Sequence, residues 1–412
     1  MELANLYWDR GDTSTAHGLG DDAYGILRTE APCAELAHAL GFLAFEAWTA
    51  GRPEEALRWA TQVLEVADAT GLEETRGIGL MERGQARLDL DDPTGIEDVK
   101  AAVEATRAAL EHGRATTRGS WQLLNWHANL VEALWLVDGT AAALDAGRQA
   151  QQIAVQRGLL HPLTAVRADG LKVLFDAGRW DDLLRGARQV TSQRATEGGD
   201  YWTVVADIHL AHVLVHRGQL TSAAGLMAQA LPQAKTIADL QVYGPALEVA
   251  ASLLLAQRNL PLAVTRVREF ADAAARAPAR RAWHLPALVR VCAAAGDLPL
   301  AERLVAGTDL RLRRHACAHR VASATLAEAR GAFDAATDSY GQAATAWQEY
   351  GHPLEQGYAL LGAGRCANQR GDPRSAEAVR TAGDLFAALG AQPFGLRTTG
   401  EDGCDGMFAA AE

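Results

Sequence analysis

Three histidines on one predicted helix are the residues whose types and spacing best suit chemistry. His209, His212 and His216 are three and four positions apart, so on a helix they share one face of about 60°. Imidazoles can ligate zinc, copper or nickel, but three ligands from one helix need a fourth from elsewhere to enclose an ion. Because Trp202 shares this face, we favour the alternative that the histidines line a groove.

A second set combines tryptophan with asparagine on one predicted helix. Trp121, Asn125 and Asn129 recur every four residues, which places them in one stripe. Asparagine amides can bind a peptide backbone or a carboxylate, and an aromatic ring supplies apolar contact. The stripe therefore predicts a ligand groove, and the other interpretation is that the tryptophans fill the core.

Two further constellations favour structure over chemistry. His315 and His319 are one helical turn apart, but Cys317 between them points away. Residues 89–92 match the D-x-D-D acid motif of some terpene cyclases. They lie at an interhelical turn, however, where aspartate forms turns and caps helices.

The stretch 266–320 is the most basic part of the chain. Its eleven arginines exceed its five acidic residues by six, whereas the whole chain carries a net charge of −12. Such a patch can dock an acidic partner, a phosphate or a nucleotide, although a solvated outer face is the more common outcome. The docking interpretation uses Arg276, Arg280, Arg281, Arg311, Arg313 and Arg314.

The elements that must position these residues recur with a regular period. A turn residue followed five positions later by a small or apolar residue occurs ten times, at intervals of 35 to 48 residues. This period predicts a solenoid of helix pairs. The pairs of positions are Gly11/Ala16, Gly51/Ala56, Asp91/Ile96, Gly139/Leu144, Gly178/Leu183, Gly218/Ala223, Arg258/Ala263, Gly296/Ala301, Gly331/Ala336 and Gly371/Ala376.

The predicted fold is all-α, a right-handed α-α superhelix of about ten helix pairs over residues 1–391. The periodicity ends there, and we predict a flexible acidic tail over residues 392–412. The first helix is short and carries nearly bare apolar residues, so we expect the array to start before residue 1.

Composition restricts the class of function. A net charge of −12 argues against direct binding of nucleic acid or of an anionic membrane, because both favour a basic surface. The five cysteines are isolated, which suits a reducing compartment. Neither a signal peptide nor an apolar run of about 18 residues is evident, so we predict a soluble cytoplasmic protein.

The repeat spacing resembles that of tetratricopeptide repeats (TPR). It has a small residue seven positions before the turn, glycine at the turn and alanine five positions after it. Four stretches sharpen the match: Leu134-Trp135 through Gly139, Ala177 to Asp181, Tyr358 to Cys366, and Leu385 to Ala391. Together they resemble the C-terminal helical region of large actinobacterial regulators, over roughly residues 1–392. Those regulators place a signal-transduction ATPase before the repeats and add an adenylyl-cyclase or a LuxR-type DNA-binding domain.

The resemblance implies a sensor and scaffold, whose first helices line a concave face that receives a ligand or partner. The chain has no G-x-x-x-x-G-K-[ST], and none of Lys100, Lys172 and Lys235 follows a glycine-rich loop, so no P-loop is present. We therefore predict a non-catalytic bacterial module for regulation and signal transduction, with no cofactor. Its groove would bind a peptide, a protein or a small-molecule effector. A protein partner would be an ATPase or a DNA-binding protein. The alternatives are an enzyme with a pocket inside the superhelix, metal-dependent through the His209 face, and a pure assembly scaffold.

Overall fold

The computed structural model describes residues 1–111, 117–194 and 201–394, and in these ranges the chain forms 21 α-helices. They make ten pairs, because the short α15 and α16 together act as the first helix of the eighth pair. The first five pairs are α1 (Glu2–Asp9) with α2 (Thr13–Leu27), α3 (Ala34–Thr49) with α4 (Pro53–Thr70), α5 (Glu73–Asp89) with α6 (Gly95–Glu111), α7 (Thr117–Val137) with α8 (Thr140–Gln156), and α9 (Leu160–Asp176) with α10 (Trp180–Arg194).

The second half continues the same alternation. Its pairs are α11 (Tyr201–His216) with α12 (Leu220–Ile237), α13 (Leu240–Ala256) with α14 (Leu260–Ala273), α15 (Pro278–Ala282) and α16 (Leu285–Ala295) with α17 (Leu298–Val305), α18 (Arg313–Ala329) with α19 (Phe333–Tyr350), and α20 (Pro353–Gln369) with α21 (Ser375–Leu389). The predicted all-α solenoid of TPR-like helix pairs is confirmed. None of the described helices combines the length and apolar character that crossing a bilayer needs.

All ten predicted turn residues have a left-handed backbone. Eight are glycine, which adopts a positive φ without a Cβ clash, and the other two are Asp91 and Arg258. The φ values are 80° at Gly11, 70° at Gly51, 59° at Asp91, 104° at Gly139, 70° at Gly178, 72° at Gly218, 61° at Arg258, 76° at Gly296, 77° at Gly331 and 68° at Gly371. The predicted boundary between the helices of each pair is therefore correct.

Small residues let the two helices of a pair lie close together. A Cβ on Gly84 would lie 2.7 Å from the carbonyl oxygen of Gly95 in the partner helix. In the last pair, a Cβ on Gly364 would lie 2.6 Å from Val379 Cγ2. Val379 makes the contact that the repeat spacing assigns to Ala376, which is exposed, so that assignment is wrong. The turn at Asp372–Arg374 delays the start of α21 and shifts its packing face.

Successive turns of the superhelix lie against each other. Each of the first five pairs contacts, through its turn, the pair that lies five pairs later in the chain. The contact is made at the end of that later pair, where the chain passes on to the next pair or to the C-terminal segment. The residues in contact are 211 to 226 positions apart. They are Gly11 with Ile237, Gly51 with Ala277, Asp91 with Leu312, Gly139 with Tyr350 and Gly178 with Leu389. Five pairs thus complete one superhelical turn, and the concave face becomes an interior.

The packed array extends slightly beyond its predicted end at residue 391. The backbone N–H of Gln392 donates to the carbonyl oxygen of His216 at 2.7 Å. The ring of Phe394 stacks on the His216 ring with centroids 4.9 Å apart. Residues 392–394 therefore pack on α11, and the remainder of the predicted tail, 395–412, lies outside the described residues.

Candidate functional site

Two adjoining cavities occupy the interior of the superhelix. The N-terminal cavity has an open volume of about 1440 Å³ and is lined mainly by α3 and α7, with smaller contributions from α1, α5, α9 and α11. The C-terminal cavity has an open volume of about 930 Å³ and is lined mainly by α9, α11, α13 and α16. Both are bordered by Asp169, Tyr201 and Gln241. The walls come largely from the first helices of the pairs, as the TPR resemblance implies.

The repeat register determines which side chains reach the interior. Two neighbouring helices, α9 and α11, line the C-terminal cavity with residues at the same three positions. These positions are nine, six and two residues before the turn that ends each helix, at Gly178 and Gly218. The residues are Asp169, Lys172 and Asp176 in α9, and His209, His212 and His216 in α11. The predicted histidine face therefore lies on the cavity wall.

The histidines are held by aromatic stacking. The His212 ring lies parallel to the Phe175 ring at a centroid distance of 3.8 Å. Burial lowers the pKa of His209 to about 4 and that of His212 and His216 to about 3, so all three imidazoles are neutral at pH 7. Within the described ranges, no group of three or more His, Cys, Asp or Glu side chains is arranged to hold a metal ion. The geometry therefore gives no support to the metal-dependent alternative.

Asp176 is the centre of a buried polar network in the C-terminal cavity. Its Oδ2 accepts from Trp135 Nε1 at 2.8 Å and from Arg314 Nε at 3.0 Å, and its Oδ1 lies 3.1 Å from His352 Nε2. Burial alone would raise the pKa of Asp176, but the nearby Arg314 and His352 outweigh it and hold this pKa well below its usual range. The network ties α7, α9, α18 and the start of α20 together.

A second acidic group in this cavity, Glu248, is paired with a histidine. His284 Nδ1 lies 2.6 Å from Glu248 Oε2, and His212 Nε2 lies 4.0 Å from Glu248 Oε1. Burial alone would raise the pKa of Glu248, but the hydrogen bond to His284 overcomes that effect and lowers it. The charged groups of the C-terminal cavity thus largely satisfy one another.

The predicted basic patch is divided between the interior and the surface. Arg280, Arg281 and Arg314 are buried, so placing these three in an exposed docking patch is wrong. Arg280 pairs with Asp89 at 3.0 Å, because this part of the chain faces acidic side chains of earlier pairs. Arg276 and Arg311 are exposed, whereas the half-buried Arg313 donates to the Asp138 carbonyl oxygen at 2.8 Å.

The N-terminal cavity contains the predicted asparagine stripe. Asn125, Asn129 and Trp202 line this cavity. Trp121 also belongs to α7, but its side chain is not among those that the structure describes. Further aromatic lining comes from Trp8, Phe42, Phe45, Trp48 and Trp126. The amides and rings thus border one space.

Two acidic residues of the N-terminal cavity were missed by sequence reasoning. Glu82 and Asp169 line it, and burial raises the pKa of Glu82 to about 8 and that of Asp169 to about 6. Neither carboxyl group has a hydrogen-bond or ion-pair partner within the described ranges. Each stands nine positions before its turn, the same register as His209, and this signal could have identified both.

The other sequence constellations have structural roles. Asp89 pairs with Arg280, and Asp91 accepts from the backbone N–H groups of Arg311 and Leu312. His315 is fully buried and accepts from Trp283 Nε1 at 3.0 Å.

Comparisons with known proteins support the fold. No family model matches the chain, and a comparison with curated proteins gives no match. The chain is similar to the crystal structure of Rap protein complexed with competence and sporulation factor, with a TM-score of 0.51, 11% identity, and coverage of 92% of this chain and 98% of that one. It is also similar to the crystal structure of yeast Tom70, with a TM-score of 0.44, 12% identity, and coverage of 93% and 84%. At these identities the Rap comparison shows a shared fold, and nothing further is drawn from Tom70.

Proposed function

We propose that the chain is a non-catalytic binding module that holds a segment of a protein or peptide partner inside its superhelix. The observation that carries this proposal is the pair of adjoining cavities, which together run along the first helices of successive pairs. An extended segment fits a space that follows a row of helices, whereas a compact ligand needs only one part of it.

The polar lining of the N-terminal cavity suits a peptide backbone. Asn125, Asn129, Gln122 and Gln241 border the cavity, and each amide offers both donors and an acceptor. Gln122 Oε1 is buried without a hydrogen-bond partner in the described part of the chain. Aromatic rings between these amides provide apolar contacts for side chains of the segment.

The comparison with Rap supports the same function. The Rap structure has a similar fold and is complexed with competence and sporulation factor. A superhelix of this kind is thus compatible with holding a second molecule. We extend this to the present chain as a proposal.

The wider context is also part of the proposal. The four stretches that resemble actinobacterial regulators support a bacterial cytoplasmic role in regulation and signal transduction. The partner would then be an ATPase or a DNA-binding effector, and the bound segment would shift the array between conformations with different affinity for that effector.

Selection of random peptides on the immobilised chain tests the proposal. Enriched peptides should lose at least about tenfold in affinity for an Asn125→Ala, Asn129→Ala double variant, because two amide contacts are removed. Asn368→Ala, at an exposed position near the end of α20, is the matched control and should bind as the wild type does. Failure to enrich any peptide, or equal losses in the variant and the control, would contradict the proposal.

A further inference from the structure

We propose that the N-terminal cavity recognises a positively charged group, a guanidinium or an ammonium, carried by the bound segment. This inference rests on the proposed function, because it specifies what the segment must contain. It is argued from the charges and aromatic rings that line the cavity.

The charges around the cavity do not balance. Asp89 and Glu132 are matched by Arg280 and Lys172, since Arg280 lies 3.0 Å from Asp89 and 3.6 Å from Glu132, and Lys172 bonds Glu132. Neither Glu82 nor Asp169 has a hydrogen-bond or ion-pair partner among the described residues, and none of the described lining side chains is Lys or Arg. Lys172, which already bonds Glu132, acts on Asp169 from a distance and opposes the effect of burial on its pKa, and Met1 with its terminal amino group also lines the cavity. A cation entering the cavity would supply the missing charge.

The chain itself shows how its interior accommodates a guanidinium. Arg314 lies 4.0 Å from the Trp135 ring centroid and bonds Asp176. Arg290 lies 4.0 Å from the Tyr358 ring centroid and bonds Glu355 through two nitrogens, at 2.7 and 2.6 Å. Each guanidinium has an aromatic ring against it and a carboxylate beside it, an arrangement that stabilises a desolvated cation.

A third buried arginine has the same surroundings. Arg280 lies between Trp48 and Trp283, at 4.7 and 4.4 Å from their ring centroids, and pairs with Asp89. In the N-terminal cavity, the carboxyl groups of Glu82 and Asp169 accompany Trp126 and Trp202. Among the described residues, the rings and carboxyl groups of this cavity are therefore present without an arginine, and the ligand can provide the cation.

The position of the two carboxyl groups also suits a peptide-borne cation. Glu82 is on α5 and Asp169 on α9, and α7 packs against both helices. Because α7 carries Asn125 and Asn129, the amides that suit a backbone stand between the groups that suit a charge. One segment can use both.

Three nonapeptide libraries test the inference, and their other positions are randomised without lysine, arginine or histidine. The first is N-acetylated with arginine fixed at the centre, and the second is N-acetylated with citrulline there, which is similar in shape but neutral. The third has central citrulline and a free N-terminus, so it offers only an ammonium. Binding to the full chain at pH 8 should be at least tenfold tighter for peptides of the first or the third library than for those of the second.

Variants locate the cation. Glu82→Gln and Asp169→Asn should each reduce this preference, and together abolish it, whereas Glu65→Gln, at an exposed position of α4, should leave it unchanged. Circular dichroism and thermal unfolding establish that the variants fold. Agmatine, a small guanidinium compound, should change tryptophan fluorescence in the wild type and not in the double variant.

The outcomes separate this inference from the proposed function. If neutral peptides bind as tightly as charged ones and still depend on Asn125 and Asn129, the module binds peptides and the charge inference is wrong. If agmatine binds through Glu82 while all libraries fail, the cation site stands and the peptide function is wrong. Absence of any charge preference together with no agmatine response overturns the inference.

Discussion

The Asp91 carboxylate accepts a 2.9 Å hydrogen bond from the backbone N–H of Leu312, which lies 221 residues further along the chain. Its second oxygen accepts from the backbone N–H of Arg311 at 2.6 Å. One side chain in the turn of the third pair thus holds the junction between the eighth and ninth pairs. Such contacts keep successive superhelical turns together, and the interior cavities exist because the turns are held in this way.

Asp91→Ala should lower the free energy of unfolding by about 2–3 kcal/mol. Two backbone donors lose their acceptor, and alanine is poorly suited to the positive φ at this position. Asp91→Asn should cost less, because asparagine keeps one acceptor and tolerates this conformation. Urea denaturation measures both, with the exposed Asp22→Ala as the matched control. Equal midpoints for Asp91→Ala and Asp22→Ala would contradict the role of this contact.

Two glycine-to-alanine changes should have opposite signs. A Cβ at Gly364 would lie 2.6 Å from Val379 Cγ2, whereas a Cβ at Gly341 would meet nothing within 4 Å. Gly364→Ala should therefore destabilise by about 1–3 kcal/mol, and Gly341→Ala should stabilise by up to about 1 kcal/mol through helix propensity. Thermal unfolding of the two variants compares them, and a stabilised Gly364→Ala would contradict the close packing of α20 and α21.

A buried and an exposed ion pair should respond differently to the same change. Asp176→Asn leaves the buried Arg314 without its carboxylate, so we expect a loss of about 3 kcal/mol in the free energy of unfolding. Asp145→Asn breaks a pair with Arg148 in which both side chains are more than half exposed, and it should cost less than about 1 kcal/mol. Chemical denaturation at pH 7 measures both variants, and comparable small losses would contradict the central role of Asp176.

Glu82 should make the folded chain less stable as the pH rises. Its pKa is raised from 4.5 to about 8 in the folded state, so between these values the folded state binds more protons than the unfolded state. The contribution of Glu82 to the free energy of unfolding then falls from pH 4.5 to pH 8, by on the order of 4 kcal/mol. Glu82→Gln should remove this slope, as measured by denaturation from pH 5 to pH 8. Glu65→Gln is the control, and a variant profile parallel to that of the wild type would contradict the assignment.

Affinity for a cationic ligand should increase with pH, whereas the stability contribution of Glu82 decreases. A positive charge favours the ionised form of Glu82, so binding of the arginine-centred peptides should tighten between pH 6 and pH 8 and release protons. The other titratable groups lining the cavity are the terminal amino group of Met1 and the side chains of His38, Glu132, Asp169 and Tyr201. Asp169→Asn distinguishes the second carboxyl group. Calorimetry in buffers of different ionisation enthalpy measures the protons released. Equal affinity at both pH values would contradict the prediction.

The sequence predicted the local architecture well because its signals are local. A residue that can adopt a positive φ ends each first helix, and the ten such residues are separated by a regular period. Apolar periodicity then fixes the helix on either side. The packing contact of Val379 in place of Ala376 departs from the predicted spacing, and Val99 makes the equivalent contact in the third pair. In both pairs the second helix begins four residues after the turn residue, which shifts the contact along the helix.

The closure of the superhelix could not be predicted in the same way. The contacts of Gly139 with Tyr350 and of Asp91 with Leu312 join residues more than 200 positions apart, and they follow from small rotations accumulated over five pairs. For the same reason, Arg280 and Arg314 looked like surface charges. Their acidic partners, Asp89 and Asp176, belong to pairs of the preceding turn.

The candidate site was only partly predicted. His209, His212 and His216 were identified because they cluster in the sequence, and Asn125 and Asn129 because they recur every four residues. Glu82 and Asp169 are single acidic residues on separate helices, so no spacing within one helix distinguishes them. Aligning every helix on its turn would have placed both in the position of His209.

The contact of each turn with the junction five pairs later constrains how such a protein can evolve. An ordinary solenoid tolerates the gain or loss of one repeat, since each repeat touches only its neighbours. Here, inserting or deleting one pair between Gly51 and Ala277 would place the earlier turns against the wrong junctions. Related chains should therefore keep the number of pairs per revolution and vary the residues facing the interior, so that ligand preference can diverge while the winding is preserved.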